Sequence, residues 1–185
     1  MATSRAQQVG IWIIAITLTV GTIGSFIAIV LANENQQTAT TRAAEEAEKA
    51  QADALAALEP LEGYSATPFE AAAVNELKVE VLTEGTGEVV KDSDTIKASY
   101  TGWLADGTIF DSTKKKDTAD APISFPLNGV IKGWTNGLAG QKVGSVVKLT
   151  IPADQGYGAS ANGNIPANSP LQFIVIIQAI DPQAS

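Results

Sequence analysis

Val130-Ile131-Lys132-Gly133-Trp134-Thr135-Asn136-Gly137-Leu138 is the stretch on which the fold turns. Ile131, Trp134 and Leu138 recur at i, i+3 and i+7, one face of a short helix, so the indole of Trp134 is expected to point inward. Gly137 and Gly140 are expected to close the helix. An inward tryptophan either fills a core or floors a pocket, and the flanking sequence has to decide between the two.

Working outward, the texture on both sides is that of β-structure. Upstream, Leu77, Val79 and Val81 alternate with Lys78 and Glu80, a half-buried strand that stops at Gly85-Thr86-Gly87. Residues 95–104 read as a second strand, Asp106-Gly107 as a two-residue hairpin turn, and residues 108–110 as the returning strand. Ile123-Ser124-Phe125 is a further short strand. Downstream, residues 145–151 and 171–180 supply two long ones. Between them lies a loop, 152–170, dense in Gly, Asn, Ala and Pro, with a lone tyrosine at Gly156-Tyr157-Gly158. Loops of that length inside a compact domain are usually functional or disordered. Strands on both sides of one short helix predict an α+β domain, residues 77–185, in which an antiparallel sheet covers the helix.

Composition narrows the chemistry. The chain has 185 residues, 45% of them hydrophobic, room for one domain plus extensions. It contains neither Cys nor His, which excludes disulfides, thiol nucleophiles, imidazole bases and the usual zinc sites. The net charge of −8 is concentrated in residues 33–76, where two basic and nine acidic side chains occur. No broad basic face exists for a nucleic-acid partner, and Lys114-Lys115-Lys116 reads as a solvated loop.

Residues 1–8 precede a run, 9–32, of 24 residues without a charge. At about 1.5 Å per residue such a helix slightly exceeds the ~30 Å hydrocarbon core, so the run is expected to be a transmembrane signal anchor. Trp12 suits an interfacial position, and Arg5 before the run with Glu34 after it places the N-terminus in the cytoplasm. The rest of the chain is then outside the cytoplasm at the cell membrane. A cleaved signal peptide, with a site near Ala32 and a secreted product, is the alternative, but signal h-regions extend only about 7–15 residues. Residues 33–76 form an acidic, Ala/Glu-rich spacer, a helical or flexible stalk that Pro60 and Gly63 interrupt.

The motifs Tyr100-Thr-Gly-Trp-Leu-Ala-Asp-Gly-Thr-Ile-Phe-Asp-Ser112, Phe125-Pro-Leu127, Val130-Ile-Lys-Gly-Trp134, Leu138-Ala-Gly140, Lys142-Val-Gly144, Leu149-Thr-Ile-Pro152 and Gly156-Tyr-Gly-Ala159, with Ile165-Pro166 and Phe173, resemble the FKBP family of peptidyl-prolyl cis-trans isomerases. The resemblance implies a twisted five-stranded antiparallel sheet wrapped around the Ile131 helix and a pocket that accepts a proline ring. By the same resemblance Tyr100, Phe110, Asp111, Trp134 and Tyr157 carry the reaction, with Trp134 as the pocket floor. Ile123, Val130, Ile131, Ile165 and Phe173 would bind substrate, the Ile131 N–H donating to a substrate carbonyl.

Three departures accompany it. Ile123 stands where an aromatic wall is common, the loop 114–121 is longer than usual, and the loop tip 160–164 lacks the histidine of some relatives. The implied reaction needs no metal or cofactor. Its partners would be unfolded or partly folded protein clients with X-Pro bonds and a macrolide-type inhibitor. A membrane-tethered, chaperone-like module that binds proline-containing segments without turnover is the alternative function.

Overall fold

The computed structural model describes residues 39–182. The expected anchor at 9–32, the segment 1–8 before it and the first residues of the spacer lie outside the described residues. Among the described residues no helix is long and apolar enough to cross a membrane.

Helix α1 occupies residues 39–56 and is exposed almost throughout. Its Ala, Glu and Lys content favours helix without providing large apolar side chains to bury. It ends just before Pro60, and Gly63 follows at φ +83°.

A compact unit begins at Asp53. It contains β1 (Lys78–Thr83), β2 (Thr95–Trp103), β3 (Ile109–Ser112), β4 (Ile123–Pro126), α2 (Lys132–Leu138), β5 (Val146–Ile151) and β6 (Leu171–Asp181). Every strand pairing is antiparallel, and the order is β1-β5-β6-β2-β3 with β4 also against β2. The sheet is therefore built of six strands rather than the expected five. Nine-residue β2 is long enough for two partners end to end: β4 takes residues 95–98 and β3 takes 101–103. The lysine-bearing loop joins those two half-length strands. At the hairpin, Gly107 has φ +84° and donates to Leu104 O while Leu104 N–H donates to Thr108 O; Asp106 keeps a negative φ, so the turn is a three-residue loop closed by a left-handed glycine rather than the expected two-residue one.

Alternation sorts the two faces of the sheet. Ile96, Ala98, Tyr100, Leu149, Ile151, Phe173, Val175 and Ile177 point to one side and pack with Trp134 and Leu138 of α2. Seven-residue α2 comes very close to this face. A Cβ at Gly133 would lie 2.4 Å from Ile151 Cγ2, and one at Gly137 would lie 2.6 Å from Leu149 Cδ2. Gly137 is thus inside the helix as a contact surface, not its terminator. Gly140, at φ +86°, makes the turn beyond and donates to Val90 O at 2.8 Å.

The other face carries Trp103, Val146 and Ile174, and residues 57–76, expected as spacer, supply part of its cover. Leu61 is 3% exposed and packs with those three side chains. Leu58 pairs with Lys115, Ala57 O accepts from Lys116 N–H, and Glu59 N–H donates to Lys114 O. Thr67 N–H donates to Gln172 Oε1 at 3.0 Å. A sheet with apolar side chains on both faces needs a second layer, and here the layer is a strap of chain, not a helix.

Candidate active site

Between α2 and the concave face of the sheet lies a cavity of about 290 Å³. Its base is Trp134, 4% exposed, whose ring meets Tyr100, Phe125 and Phe173 edge-on at centroid separations of 5.2, 5.4 and 5.3 Å. Phe110 meets Phe173 at 5.4 Å and 90°. Edge-to-face packing of this kind is the favoured aromatic geometry, so the five rings brace one another and leave apolar surface toward the cavity. Gly102 makes the packing possible, since a Cβ there would lie 2.6 Å from Phe110 Cζ and 2.8 Å from Phe173 Cε1. The Trp134 indole N–H is buried without a hydrogen-bond partner among the described residues.

The polar rim comes from β2, β3 and the 152–170 loop. Tyr100 Oη donates to Asp111 Oδ2 at 2.5 Å. Burial pushes the Tyr100 phenol far above its ordinary range, and the neighbouring Asp111 carboxylate adds to the shift. The Tyr157 phenol, partly exposed at the cavity mouth, is raised by burial and then by the Asp111 charge. Both phenols therefore stay protonated as donors through the neutral range, facing one carboxylate. Gly158, at φ +67°, turns the loop beside Tyr157, and its carbonyl accepts from Asn168 N–H at 2.8 Å.

Val130 and Ile131 form the side of the cavity at the start of α2. Ile131 is the N-cap, in extended conformation at φ −60° and ψ 146°, and its carbonyl accepts from the N–H groups of Trp134 and Thr135. Its own N–H makes no hydrogen bond among the described residues. An unused backbone donor beside an apolar cavity is suited to a ligand carbonyl.

Eight sequence-derived site residues converge on the cavity: Tyr100, Phe110, Asp111, Val130, Ile131, Trp134, Tyr157 and Phe173. Two stand apart from its lining. Ile123 is 47% exposed at the start of β4, whereas Ile165 is buried in the core and pairs with Asn162 to close the loop tip. Where the sequence suggested Ile123 as the wall residue, the structure places Phe125, two residues on, in the cavity lining. Both side chains are on the concave face, opposite Ala98 and Ile96 respectively, and Phe125 is the one that reaches Trp134. Strand alternation through Ile123 and Phe125 was the signal available for finding it. Gly129 also lines the cavity, and Gly102 permits it. No lysine pairs with Asp111: among the described residues the ion pairs are Lys142–Glu84 and Lys148–Glu80, both away from the cavity.

A sheet folded round one short helix, with an aromatic-walled cavity of this size at their junction, defines a domain built to hold a compact apolar ring under a polar rim. Residues 87–178 match the family described as FKBP-type peptidyl-prolyl cis-trans isomerase. FkpA of Escherichia coli strain K12, an FKBP-type peptidyl-prolyl cis-trans isomerase, is 43% identical over 106 residues, 57% of this chain and 38% of FkpA. FK506-binding protein 1 of Dictyostelium discoideum is 40% identical over 102 residues, 54% of this chain and 92% of that protein. The crystal structure of a peptidyl-prolyl cis-trans isomerase from Pseudomonas syringae pv. tomato DC3000 is similar at a TM-score of 0.52 and 31% identity, covering 77% of this chain and 96% of that one. The chain belongs to the FKBP-type peptidyl-prolyl cis-trans isomerase family. It spans about two-fifths of the length of FkpA.

Proposed function

We propose that the chain catalyses cis-trans isomerisation of X-Pro bonds in protein clients, the proline ring seated on Trp134. The observation that carries this reading is the ring-walled cavity of about 290 Å³ with Tyr100, Asp111 and Tyr157 at its mouth. Family membership supports the same chemistry. An X-Pro bond isomerises over tens of seconds unaided, because resonance gives its C–N bond partial double-bond character. Twisting the bond removes that resonance and some of the charge separation between oxygen and nitrogen. The rings offer the planar, more polar ground state poor solvation, while ring burial and a hydrogen bond from Ile131 N–H hold the twisted form. Asp111, fixed by Tyr100 Oη at the cavity mouth, would face the carbonyl of a proline peptide seated on Trp134 as its dipole changes.

The tether belongs to the same proposal. The uncharged run 9–32 supports a single membrane span with the isomerase domain outside the cytoplasm, where it would assist folding of exported clients. The pocket is also of the kind that the name FK506-binding protein attaches to the Dictyostelium relative, so a macrolide of that class is the proposed inhibitor.

A protease-coupled assay on a proline tetrapeptide tests the chemistry. Wild type should accelerate isomerisation and Trp134→Leu and Asp111→Leu should each lose most of it. Peptide affinity with the uncatalysed rate would overturn the isomerase reading in favour of a tethered binding module. Protease accessibility of the domain in intact cells and in opened ones tests the tether.

A further inference from the structure

Directly behind the polar rim, on the opposite face of the same two strands, a closed hydrogen-bond circuit joins β2 and β3 to the strap. Leu61 N–H donates to Thr101 Oγ1 at 3.0 Å, Thr101 Oγ1 and Ser112 Oγ are 3.1 Å apart, and Ser112 Oγ donates to Glu59 O at 2.7 Å. Ser112 Oγ also accepts from Lys114 N–H at 3.1 Å. With its one proton on Glu59, Ser112 has its acceptor sites turned to Thr101 and Lys114, so the hydroxyl's capacity is used. Thr101 is fully buried, Ser112 is 4% exposed, and both ends of the circuit are strap backbone.

Thr101 and Ser112 are register partners, and each is the chain neighbour of a rim residue, Tyr100 and Asp111. Because successive side chains point to opposite faces, the pair on the strap side and the pair on the cavity side turn together. The pairing of β2 with β3 is short and shifts register immediately beyond, between Gly102 and Trp103. So short and irregular a ladder fixes strand position weakly by itself. Tyr100 and Thr113 add backbone and hydroxyl bonds on the near side, and among the described residues Thr101 and Ser112 are the β2 and β3 side chains hydrogen-bonded to the strap.

We infer that Thr101 and Ser112, held by strap residues Glu59 and Leu61, are positioning residues that set the Tyr100–Asp111 pair at the cavity mouth. The inference rests on the isomerase reading. It gives a segment that precedes the family match at 87–178 a part in the site, through contacts with the two strands that carry the rim.

The test uses the whole chain and compares Thr101→Val, which keeps the side-chain volume and removes the hydroxyl, with Thr101→Ser, which keeps the hydroxyl and removes a methyl. Ser112→Ala breaks the circuit from the other side. Rates are measured where circular dichroism shows each variant folded, alongside the proton resonance of the Tyr100 hydroxyl. Thr101→Val and Ser112→Ala should lower kcat about fivefold at nearly constant KM and move that resonance upfield, while Thr101→Ser stays close to wild type. Wild-type kcat and resonance in Thr101→Val and Ser112→Ala would overturn the inference, as would equal losses in Thr101→Ser and Thr101→Val. The resonance decides the positioning role even if wild type shows no isomerase activity, which would sink the functional reading alone.

Discussion

Tyr100 Oη and Asp111 Oδ2 meet at 2.5 Å across the β2–β3 pair, and this bond holds a carboxylate at the mouth of an otherwise apolar, ring-walled cavity. The phenol is buried, the carboxylate is largely exposed, and the two strands that carry them are tied together behind the rim. Tyr100→Phe keeps the ring contacts with Phe125 and Trp134 but frees the carboxylate to sample other rotamers. Hydrogen bonds to charged groups contribute about 1.5–3 kcal/mol when buried, and solvent at Asp111 reduces that, so kcat/KM should fall about three- to tenfold. Steady-state rates on proline tetrapeptides check it. Little change in KM is expected, because the ring surface that binds proline is retained.

The same phenol makes stability depend on pH at the alkaline end. The folded-state pKa of Tyr100 is raised above the unfolded value near 10.0, so the native state keeps a proton that the unfolded state releases. Its contribution is fully present below about pH 10 and declines as pH rises further, with no matching loss in acid. Tyr157 acts in the same direction from its smaller burial. Thermal unfolding followed from pH 8 to pH 11 should show a steeper loss for wild type than for Tyr100→Phe, the two curves running parallel below pH 9.

Gly133 and Gly137 allow α2 to reach the sheet, and alanine at either position has no room. The Cβ of Gly133→Ala would lie 2.4 Å from Ile151 Cγ2, with Ile151 Cδ1 and Cγ1 within 2.9 Å. Overpacking of a filled core costs about 1–3 kcal/mol, which outweighs the gain of up to ~1 kcal/mol in helix propensity from replacing glycine. Urea denaturation should therefore show net destabilisation. Because Trp134 is the next residue, peptide affinity should fall too.

Phe125 and Ile123 separate by function although they share a strand face. Phe125→Ala removes a cavity wall that meets Tyr100 at 5.6 Å and Trp134 at 5.4 Å, so it should raise KM and change which residue is preferred before proline. Ile123→Ala removes a half-exposed side chain outside the lining and should leave both within about twofold, in the ~0.5 kcal/mol range of ordinary surface substitutions. A panel of X-Pro tetrapeptides differing only at X distinguishes the two.

How far the sequence revealed this site depends on whether each feature is local. The period of Ile131, Trp134 and Leu138 disclosed the inward indole, and Asp106-Gly107 disclosed the hairpin that brings Asp111 beside Tyr100. Those are short-range signals, written within a few residues. The wall at Phe125 was missed because the resemblance pointed to Ile123, and alternation, which puts both on one face, does not say which of them lies opposite a helix that begins seven to nine positions further on. The sixth strand follows from β2 being long enough for two partners, which appears only once the register is known. The strap was missed for a related reason. Residues 57–76 have no period, and the need for them is stated elsewhere, by Trp103, Val146 and Ile174 on the far face of the sheet.

That strap yields the prediction most at odds with treating residues 33–76 as a stalk. A fragment beginning at Asp53 retains Leu61, the backbone bonds to 114–116 and the cover over Trp103, whereas one beginning at Leu77 loses all of them. Removing a buried leucine side chain alone costs about 2–5 kcal/mol, and the shorter fragment also exposes a tryptophan and leaves Thr101 without its donor. The fragment from Asp53 should unfold cooperatively with a midpoint close to that of the full chain. The fragment from Leu77 should lose several kcal/mol, comparable to a large part of the 5–15 kcal/mol that holds an ordinary domain together, and should bind a hydrophobic dye before heating. Equal urea midpoints for the two fragments would show that the strap adds nothing to the fold, and that the outer face of β2, β5 and β6 is stable without it.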